Sequence, residues 1–380
     1  MKILLVGAGG YAGTYISTLL SHPTPDVIWE GVVDPYFEAS QFKEHIEAQN
    51  VPVYDTMEEF YAHHEADLAI ISTPTFLHCE QSICALKHNT NVLCEKPAAP
   101  IPEQALQMLE AEKETGLFLA IGYQWSYSDA IRKLKADILN GVLGKPEEFR
   151  TMISWPRSRK YYNRGSGWGG KIQKDGKWIL DSIASNACAH YLHNMFFLLG
   201  DTMETSAKIA DFQAECYRAN EIENFDTCSI RLQTESGVKL YYAASHAAGE
   251  RRDPEFIYRF SNADVTFAVG KDTEITAHFK DGTTKIYGNP NENVLIKMWD
   301  SIDAVRNGTR PVCTIETAIP HVQFIYDMYK TTPIHTFDSQ YIRVNEEEDT
   351  VYVDGLFEQL GNAYDNGQLF SESGSEIFKV

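Results

Sequence analysis

The chain has 380 residues, and 33 Lys and Arg against 53 Asp and Glu give it a formal net charge of −20. This length predicts two domains, and the acidic balance disfavours nucleic acid and anionic membranes as partners, because phosphate binding requires a basic face. No apolar run reaches the about 18 residues of a membrane span, and the chain opens on an apolar strand rather than a signal peptide. The seven cysteines are scattered without CxxC pairs. We therefore expect a cytoplasmic protein.

Strand and helix patterns alternate through the first 124 residues. The predicted strands are 3–6, 27–33, 66–72, 91–94 and 117–122, and the predicted helices are 11–20, 37–48, 76–87 and 102–114. This alternation is typical of a doubly wound parallel sheet. The first predicted domain is therefore an α/β domain over residues 1–124.

Period-two patterns follow a predicted helix over 129–139. The predicted strands are 148–155, 228–233, 238–244, 257–260 and 265–269, and later come helices over 293–305 and 318–329, an acidic loop near 346–349 and a helix over 356–363. Gly, Asn and Asp turns between the strands indicate an antiparallel sheet. The second predicted domain is therefore α+β, with a large and mostly antiparallel sheet over residues 125–380.

The first turn of the chain has the spacing of a dinucleotide-binding site. Gly7 permits a tight turn, Gly9 allows the backbone to approach a pyrophosphate, and Ala12 fills the small third position of the motif. N–H groups at the start of the following helix would hold the phosphates. Asp34 ends the next strand, where a carboxylate accepts hydrogen bonds from the adenosine ribose, and this favours NAD over NADP. The predicted cofactor contacts here are Gly7, Gly9, Gly10, Tyr11, Ala12 and Asp34.

Two polar clusters follow later strands of the same domain, where ligands of open α/β sheets bind. The first contributes Ser72, Thr73, Pro74 and His78 as predicted cofactor contacts, and helix capping is the alternative role of its hydroxyls. The second is Glu95, Lys96 and Pro97. A lysine placed there can hydrogen-bond a substrate hydroxyl and move its proton, so Lys96 is a predicted catalytic residue and, with Glu95, a predicted cofactor contact. The alternative for Lys96 is an ordinary solvent-facing lysine.

Residues 7–12, 72–78 and 95–97, together with 141–146 and 315–322, resemble the Gfo/Idh/MocA oxidoreductase family. The resemblance extends over most of the chain, and only the last stretch of about 40 residues looks unfamiliar. It implies an N-terminal Rossmann domain and a C-terminal domain with a large open sheet. It also implies a homodimer or homotetramer formed through that sheet.

The resemblance also implies a second catalytic element, an aspartate followed four residues later by a histidine on a helix that leads to Leu-Leu-Gly. Counting back from Gly200 places His190 at the histidine and Asn186 at the aspartate, while Asp181 lies five residues earlier. Asparagine can orient a hydroxyl but cannot accept its proton. The departure at Asn186 therefore puts the usual proton relay in doubt.

Helical spacing predicts that Asn186, His190 and either His193 or Asn194 project from one face of a largely buried helix. Metal binding by His190 and His193 is an alternative, but a clear third ligand is missing, so no metal is predicted. A satisfied buried histidine is the alternative to catalysis for His190.

The segment 155–171 is rich in aromatic and cationic side chains. Aromatic rings stack on sugar faces, and Arg or Lys binds hydroxyls or a carboxylate; a basic surface loop is the alternative interpretation. The predicted substrate contacts are Tyr162, Arg164, Trp168 and Lys171 from this segment, His193 and Asn194 from the helix, and Tyr123 and Trp125 after the last parallel strand.

Together these features predict an NAD(H)-dependent oxidoreductase that acts on a CH–OH group of a sugar, polyol or sugar acid. Its partner is a small carbohydrate-like molecule. Two alternatives stay open: an NAD-dependent redox glycosidase or lyase, in which oxidation is transient, and a non-catalytic nucleotide-binding sensor.

Overall fold

The computed structural model describes residues 1–163, 167–268 and 272–379. Tertiary contacts divide the chain into two compact units. The first consists of Met1–Tyr127 and Asn293–Ile319, and the second of Ser128–Glu292 and Pro320–Val380. The segment Asn293–Ile319, which the sequence prediction grouped with the second domain, thus belongs to the first unit. The domain boundary after residue 124 stays a prediction.

The first unit contains a six-stranded parallel sheet in the order β3-β2-β1-β4-β5-β6. Its strands are β1 Lys2–Val6, β2 Ile28–Val33, β3 Val53–Tyr54, β4 Leu68–Ile71, β5 Asn91–Cys94 and β6 Leu119–Ile121. The predicted doubly wound parallel sheet is confirmed. The strand order reverses on the two sides of β1, so the carboxyl ends of β1 and β4 form the crevice in which such sheets bind ligands.

The helices of this part of the chain are α1 Ala12–Ser21, α2 Lys43–Glu47, α3 Met57–Tyr61, α4 His78–Lys87, α5 Pro102–Thr115 and α6 Gln124–Tyr127. The single helix predicted over 37–48 is wrong, because a 3-10 turn at Phe37–Ala39 precedes the short α2. Between them the Ser40 hydroxyl donates to the Ala8 carbonyl (2.6 Å) and accepts from the Phe42 N–H (3.1 Å). A side chain that competes for backbone partners in this way interrupts a helix.

The second unit contains a nine-stranded, mostly antiparallel sheet in the order β16-β15-β14-β13-β7-β12-β11-β10-β17. This architecture confirms the predicted α+β class. The strands are β7 Pro146–Ser154, β10 Ile209–Arg218, β11 Thr227–Thr234, β12 Lys239–Ser245, β13 Arg252–Phe260, β14 Ala263–Ala268, β15 Asp272–Phe279, β16 Thr284–Gly288 and β17 Ile334–Thr336, and two short hairpins consist of β8 Gln173–Lys174 with β9 Lys177–Trp178 and of β18 Ile342–Asn345 with β19 Thr350–Val353.

Six further helices follow α6 in the described chain. They are α7 Asp129–Leu139, α8 Arg159–Tyr162, α9 Ala189–Leu198, α10 Ile296–Asn307, α11 Ile315–Thr331 and α12 Leu356–Asn366. The apolar side of α10, with Met298 and Ile302, packs into the core of the first unit together with Leu5 and Leu93. This packing explains why the segment is part of that unit.

The last part of the chain covers one area of the large sheet. Leu356 and Leu360 of α12 are fully buried in a cluster with Met152 of β7 and Ala243 of β12. Phe370 joins the same cluster from a 3-10 turn. The end of the chain, which lies outside the predicted resemblance, thus contributes to the core of the second unit.

Candidate functional site

The glycine turn after β1 leaves unengaged backbone donors in open space. The N–H groups of Gly9, Gly10 and Tyr11 donate to no acceptor in the described part of the chain. A Cβ on Gly9 would meet nothing within 4 Å. Three free donors around an open glycine fit the pyrophosphate of a dinucleotide, which binds to backbone N–H groups at such a turn.

Gly7 is required by the sheet itself. Its φ of +96° is disfavoured for other residues, and a Cβ there would lie 2.7 Å from the carbonyl oxygen of Ser72. Ser72 in turn donates its N–H to the Val6 carbonyl (2.8 Å). The turn after β1 and the turn after β4 are therefore in direct contact.

Asp34 is fixed at the end of β2 by two backbone donors. Its Oδ2 accepts from the N–H of Ala8 (2.7 Å) and its Oδ1 from the N–H of Tyr36 (2.8 Å). Each oxygen keeps a further lone pair. The half-buried carboxylate is thus held beside the glycine turn and can accept ribose hydroxyls, as the motif predicts.

His78 lies under the next two turns rather than at the surface. The side chain is 1% exposed. Its Nδ1 is 2.8 Å from the Pro97 carbonyl and its Nε2 is 2.9 Å from the Thr73 carbonyl. Burial lowers the pKa of His78, although both carbonyls oppose the shift. The imidazole therefore connects the turn after β4 with the turn after β5, and the predicted cofactor contact of His78 stays a prediction.

Glu95 is the centre of a buried polar network at the end of β5. Its Oε1 accepts from the Tyr15 hydroxyl (2.5 Å) and from Lys297 Nζ (2.5 Å), and its Oε2 accepts from the N–H of Lys96 (3.3 Å). Lys297 Nζ also donates to the Gly122 carbonyl (3.2 Å). The backbone N–H of the predicted catalytic Lys96 is thus held by a carboxylate that two further donors, Tyr15 and Lys297, fix in place.

Lys297 was not among the predicted site residues, and its side chain is 0% exposed. Burial alone would raise the pKa of the Glu95 carboxyl, but Lys297 brings it below its usual range. Burial would likewise lower the pKa of Lys297, and Glu95 raises it above its usual range. The two groups therefore form a charged pair. Lys297 Nζ lies 4.7 Å from the ring centroid of Tyr11, so the network extends to the glycine turn.

In the second unit, the helix that holds His190 begins later than predicted. Helix α9 starts at Ala189, so Asn186 lies in the preceding turn, and the prediction of one helical face from Asn186 to Asn194 is wrong. Serine side chains cause the turn, because Ser185 Oγ donates to the Leu180 carbonyl (2.6 Å) and accepts from the Ser182 N–H (2.9 Å).

The turn brings Asn186 to Asp181. Asn186 Nδ2 donates to Asp181 Oδ1 (2.6 Å), and Asp181 Oδ2 accepts from the N–H of Gly170 (2.6 Å). The asparagine that stands at the usual aspartate position is therefore held by a nearby carboxylate. Asp181 thus orients the Asn186 amide.

The polar residues of α9 differ in accessibility. His190 is half-buried, whereas His193 and Asn194 are 1% and 0% exposed. The His193 ring stacks on Phe197 with centroids 6.1 Å apart, and Asn194 Nδ2 donates to the Tyr258 hydroxyl (3.3 Å). His190 is thus the accessible histidine of this helix, and the two substrate contacts predicted after it lie in the core.

The remaining substrate candidates have separate surroundings. Tyr123 and Trp125 are fully buried in the first unit. In the second unit, Lys171 Nζ pairs with Glu223 Oε1 (2.9 Å), and the Tyr162 hydroxyl is buried without a hydrogen-bond partner in the described residues. Trp168 is half-buried, and Arg164 lies outside the described residues. These roles stay predictions.

Within the described ranges, no three His, Cys, Asp or Glu side chains are arranged to hold a metal ion. The same part of the chain has no helix with the length and apolar character of a membrane span.

A parallel sheet with a glycine turn after β1 and a carboxylate at the end of β2 defines a dinucleotide-binding Rossmann unit, followed here by an antiparallel-sheet unit. The chain belongs to the GFO/IDH/MocA oxidoreductase family. The model of this family's NAD-binding Rossmann fold matches residues 1–123, and the model of its C-terminal domain matches residues 131–266. The predicted family, and NAD as the nucleotide of its first domain, are confirmed.

Relatives of known name match shorter stretches. A 2,7-anhydro-N-acetylneuraminate hydratase of Mediterraneibacter gnavus is 30% identical over 114 residues, 27% of this chain and 30% of that protein. A D-glucoside 3-dehydrogenase of Escherichia coli is 30% identical over 96 residues, 25% of this chain and 27% of that protein. The chain therefore matches about a third or less of the length of these two relatives.

The fold extends over most of the chain. The WlbA dehydrogenase of Chromobacterium violaceum, solved in complex with NADH and UDP-GlcNAcA, superposes with a TM-score of 0.71. The superposition covers 87% of this chain and 93% of that one at 20% sequence identity. At this identity the likeness establishes the fold.

Proposed function

We propose that this protein is an NAD(H)-dependent oxidoreductase that transfers a hydride between the nicotinamide and a secondary alcohol carbon of a sugar, polyol or sugar acid. The observation that carries the proposal is the placement of Lys96 directly after β5, on a backbone that Glu95 fixes beside the glycine turn. NAD, when bound, accepts the hydride. A named relative that is a D-glucoside 3-dehydrogenase supports a carbohydrate as substrate.

The chain's own residues would bind the cofactor and move the proton. The N–H groups of Gly9, Gly10 and Tyr11 would hold the pyrophosphate, and Asp34 the adenosine ribose. As the hydride leaves carbon, the proton of the substrate hydroxyl would pass to the unprotonated amine of Lys96 or to an unprotonated ring nitrogen of His190. Asn186, held by Asp181, would position a neighbouring hydroxyl. Asparagine cannot accept the proton itself.

The first experiment follows the absorbance of reduced nicotinamide while protein and NAD are mixed with a panel of sugars, polyols and aldonic acids. Steady formation of NADH with one compound is expected. The Lys96→Ala variant should lose about 10²–10⁴-fold in turnover, while Lys113→Ala, which removes an exposed lysine of α5, should keep it. Full turnover in the Lys96→Ala variant would contradict the role of Lys96.

A second candidate function is NAD-dependent bond cleavage or hydration without net redox change. The relative named a hydratase favours it. Aryl glycosides and anhydrosugars run in parallel would then react without any accumulation of NADH. NAD binding without turnover of any compound would instead favour a nucleotide-binding sensor.

We further propose that the protein forms a homodimer or homotetramer in the cytoplasm. Beyond the area that α12 covers, β13 and β14 keep a half-exposed face with Ile257, Arg259 and Thr266, which a second copy would bury. The seven free cysteines, six of them buried, suit a reducing compartment. Light scattering of the purified chain, with Ile257→Glu as a variant that should weaken the assembly, tests the proposed oligomer. A monomeric wild-type chain would contradict it.

A further inference from the structure

The backbone that follows β7 is firmly held, although it has left the regular strand. Trp155 donates its N–H to the Ser245 carbonyl (2.9 Å), and Arg157 donates its N–H to the His246 carbonyl (3.3 Å). His246 Nδ1 in turn lies 2.7 Å from the Trp155 carbonyl. The side chains of Trp155 and Arg157 therefore start from fixed positions at the carboxyl end of β7.

Aromatic rings, rather than a carboxylate, hold the guanidinium of Arg157. Its Cζ is 5.5 Å from the ring centroid of Trp155 and 5.0 Å from that of Tyr161. Within the described ranges no carboxylate pairs with Arg157, and its Nε is buried without a hydrogen-bond acceptor. A cation held between two rings is oriented, but its charge is not neutralised.

The neighbouring arginine is different. Arg251 Nη2 lies 2.6 Å from Asp253 Oδ1 and forms an ion pair with it. Its Cζ is also 5.6 Å from the ring centroid of Trp155, one of the two rings that hold Arg157. Trp155 Nε1 also donates to Asp253 Oδ1 (2.7 Å). Asp253 is thus shared by Arg251 and Trp155, and Arg157 keeps a charge that no described carboxylate pairs with.

The unpaired charge of Arg157 lies beside α9, the predicted catalytic helix. The Trp155 ring contacts Tyr191 edge to face, with centroids 5.6 Å apart, and Tyr191 directly follows His190. Burial raises the pKa of the Tyr191 hydroxyl, and the charges of Arg251 and Arg157 oppose that rise. The hydroxyl of Tyr162, also near Arg157, is buried and without a hydrogen-bond partner among the described residues.

A partly buried guanidinium with an unused Nε costs free energy unless an acceptor completes it. A carboxylate or phosphate accepts two parallel N–H bonds from arginine and neutralises its charge, whereas a neutral sugar hydroxyl can accept a hydrogen bond but leaves the charge uncompensated. We propose that Arg157, held by Trp155 and Tyr161, forms an anion subsite, and that the substrate is a sugar derivative bearing a carboxylate or phosphate. This inference rests on the proposed function.

The test compares matched substrates that differ in charge. Glucose, glucuronate and glucose 6-phosphate, and the same series in galactose, are assayed for NADH formation, and their binding to the NAD-loaded protein is titrated calorimetrically. We expect at least one anionic member to exceed its neutral parent by more than 10-fold in kcat/KM and affinity. The carboxylate and phosphate arms show which anion fits. Equal values for neutral and anionic members would overturn the subsite.

Variants assign the effect to Arg157. Arg157→Gln should lose the preference for the anion, with little change for the neutral parent, and Arg157→Lys should keep part of it. Lys239→Gln removes an exposed charge of β12 and serves as the matched control. An equal loss for charged and neutral substrates in Arg157→Gln would contradict the proposal.

The two proposals can fail separately. Anion binding that depends on Arg157 without hydride transfer would refute the proposed reaction and retain the subsite. Oxidation of neutral and charged sugars at equal rates would refute the subsite and retain the proposed reaction.

Discussion

Asp34 combines two roles at the scale of a single residue, since it holds the glycine turn and is the predicted ribose ligand. Both oxygens accept backbone N–H groups, from Ala8 and Tyr36. In the Asp34→Asn variant the side-chain NH2 group would face one of these N–H donors, and that hydrogen bond would be lost. Loss of a charged hydrogen bond costs about 1.5–3 kcal/mol. We expect roughly 10- to 100-fold weaker NAD binding by calorimetry and a smaller preference over NADP, whose 2′-phosphate the carboxylate repels.

The control for this prediction is Asp55→Asn, which changes an exposed aspartate of the same unit. It should bind NAD as the wild type does. Unchanged NAD affinity in Asp34→Asn would remove Asp34 from the ribose site.

Lys297 is the buried cation that pairs with Glu95. In Lys297→Met, the buried Glu95 keeps Tyr15 but loses its cation. Breaking a buried ion pair on one side costs about 3–5 kcal/mol, and we expect that loss in the free energy of unfolding measured by urea titration at neutral pH. The double variant Lys297→Met with Glu95→Gln should recover part of it, because no unpaired charge remains. A single variant as stable as the wild type would contradict a charged pair.

The same pair predicts opposite pH dependences. In the wild type the pKa of Glu95 is lowered, so its stabilisation is complete above the unfolded pKa of about 4.3 and is lost as the pH falls through the folded value. Without Lys297, burial raises the pKa of Glu95, so the variant gains stability as the pH falls and Glu95 is protonated. The difference between the two unfolding free energies should therefore begin to shrink above about pH 4.3, where Glu95 of the variant is protonated, and continue to shrink below it until Glu95 of the wild type is protonated. A pH-independent difference would refute this account.

At the scale of elements, the contact between the turns after β1 and β4 can be separated from cofactor binding. Gly7→Ala places a Cβ 2.7 Å from the Ser72 carbonyl at a φ of +96°, so we expect a loss of about 1–3 kcal/mol in unfolding free energy. Gly9→Ala meets nothing within 4 Å. It should unfold as the wild type does and yet bind NAD more weakly, because the methyl group occupies the approach of the pyrophosphate. Equal stability of the two variants would contradict this distinction.

Local patterns were sufficient for the elements that determine the first unit. Gly7, Gly9 and Asp34 are recognisable because the turn, the strands and the spacing all lie within one stretch of sequence. Lys297 could not be recognised in this way, because its partner Glu95 is 202 residues away in the sequence. A lysine in an amphipathic helix also suggests a surface position. Tertiary contact alone identifies such a residue.

The start of α9 shows a second limit of sequence patterns. Spacing of 186, 190 and 194 fits a helix, but the hydroxyls of Ser182 and Ser185 satisfy the backbone in a turn and delay the helix until Ala189. Side chains that compete locally for backbone partners override periodicity. The resemblance assigns the catalytic role to His190, which the structure shows as the accessible histidine of α9; that role stays a prediction, and the predicted helical face shared with Asn186 was wrong.

At the scale of the whole molecule, each unit has its own apolar core, and the second core depends on the end of the chain. The acidic stretch predicted as a loop is the turn of the β18–β19 hairpin, where Asn345 Oδ1 accepts from the N–H of Glu347 (3.1 Å). Arg159 pairs with Asp349 (2.6 Å) and Glu346 (2.8 Å) across this turn. These exposed pairs hold the hairpin weakly, so the burial of Val353 in one cluster with Leu356 and Leu360 of α12 supplies the larger share of the stabilisation.

The last prediction tests that burial. Leu360 is 0% exposed and packs in the cluster that includes Met152 and Ala243, so Leu360→Ala should lower the free energy of unfolding of the second unit by about 2–5 kcal/mol. Hydrogen exchange should then accelerate at the amides of β7 and β12 and leave those of β1 and β4 protected. Glu358→Ala, on the exposed side of the same helix, should change neither. If Leu360→Ala also leaves β7 and β12 protected, the end of the chain does not stabilise the sheet that it covers, and the cluster is a surface contact rather than a core.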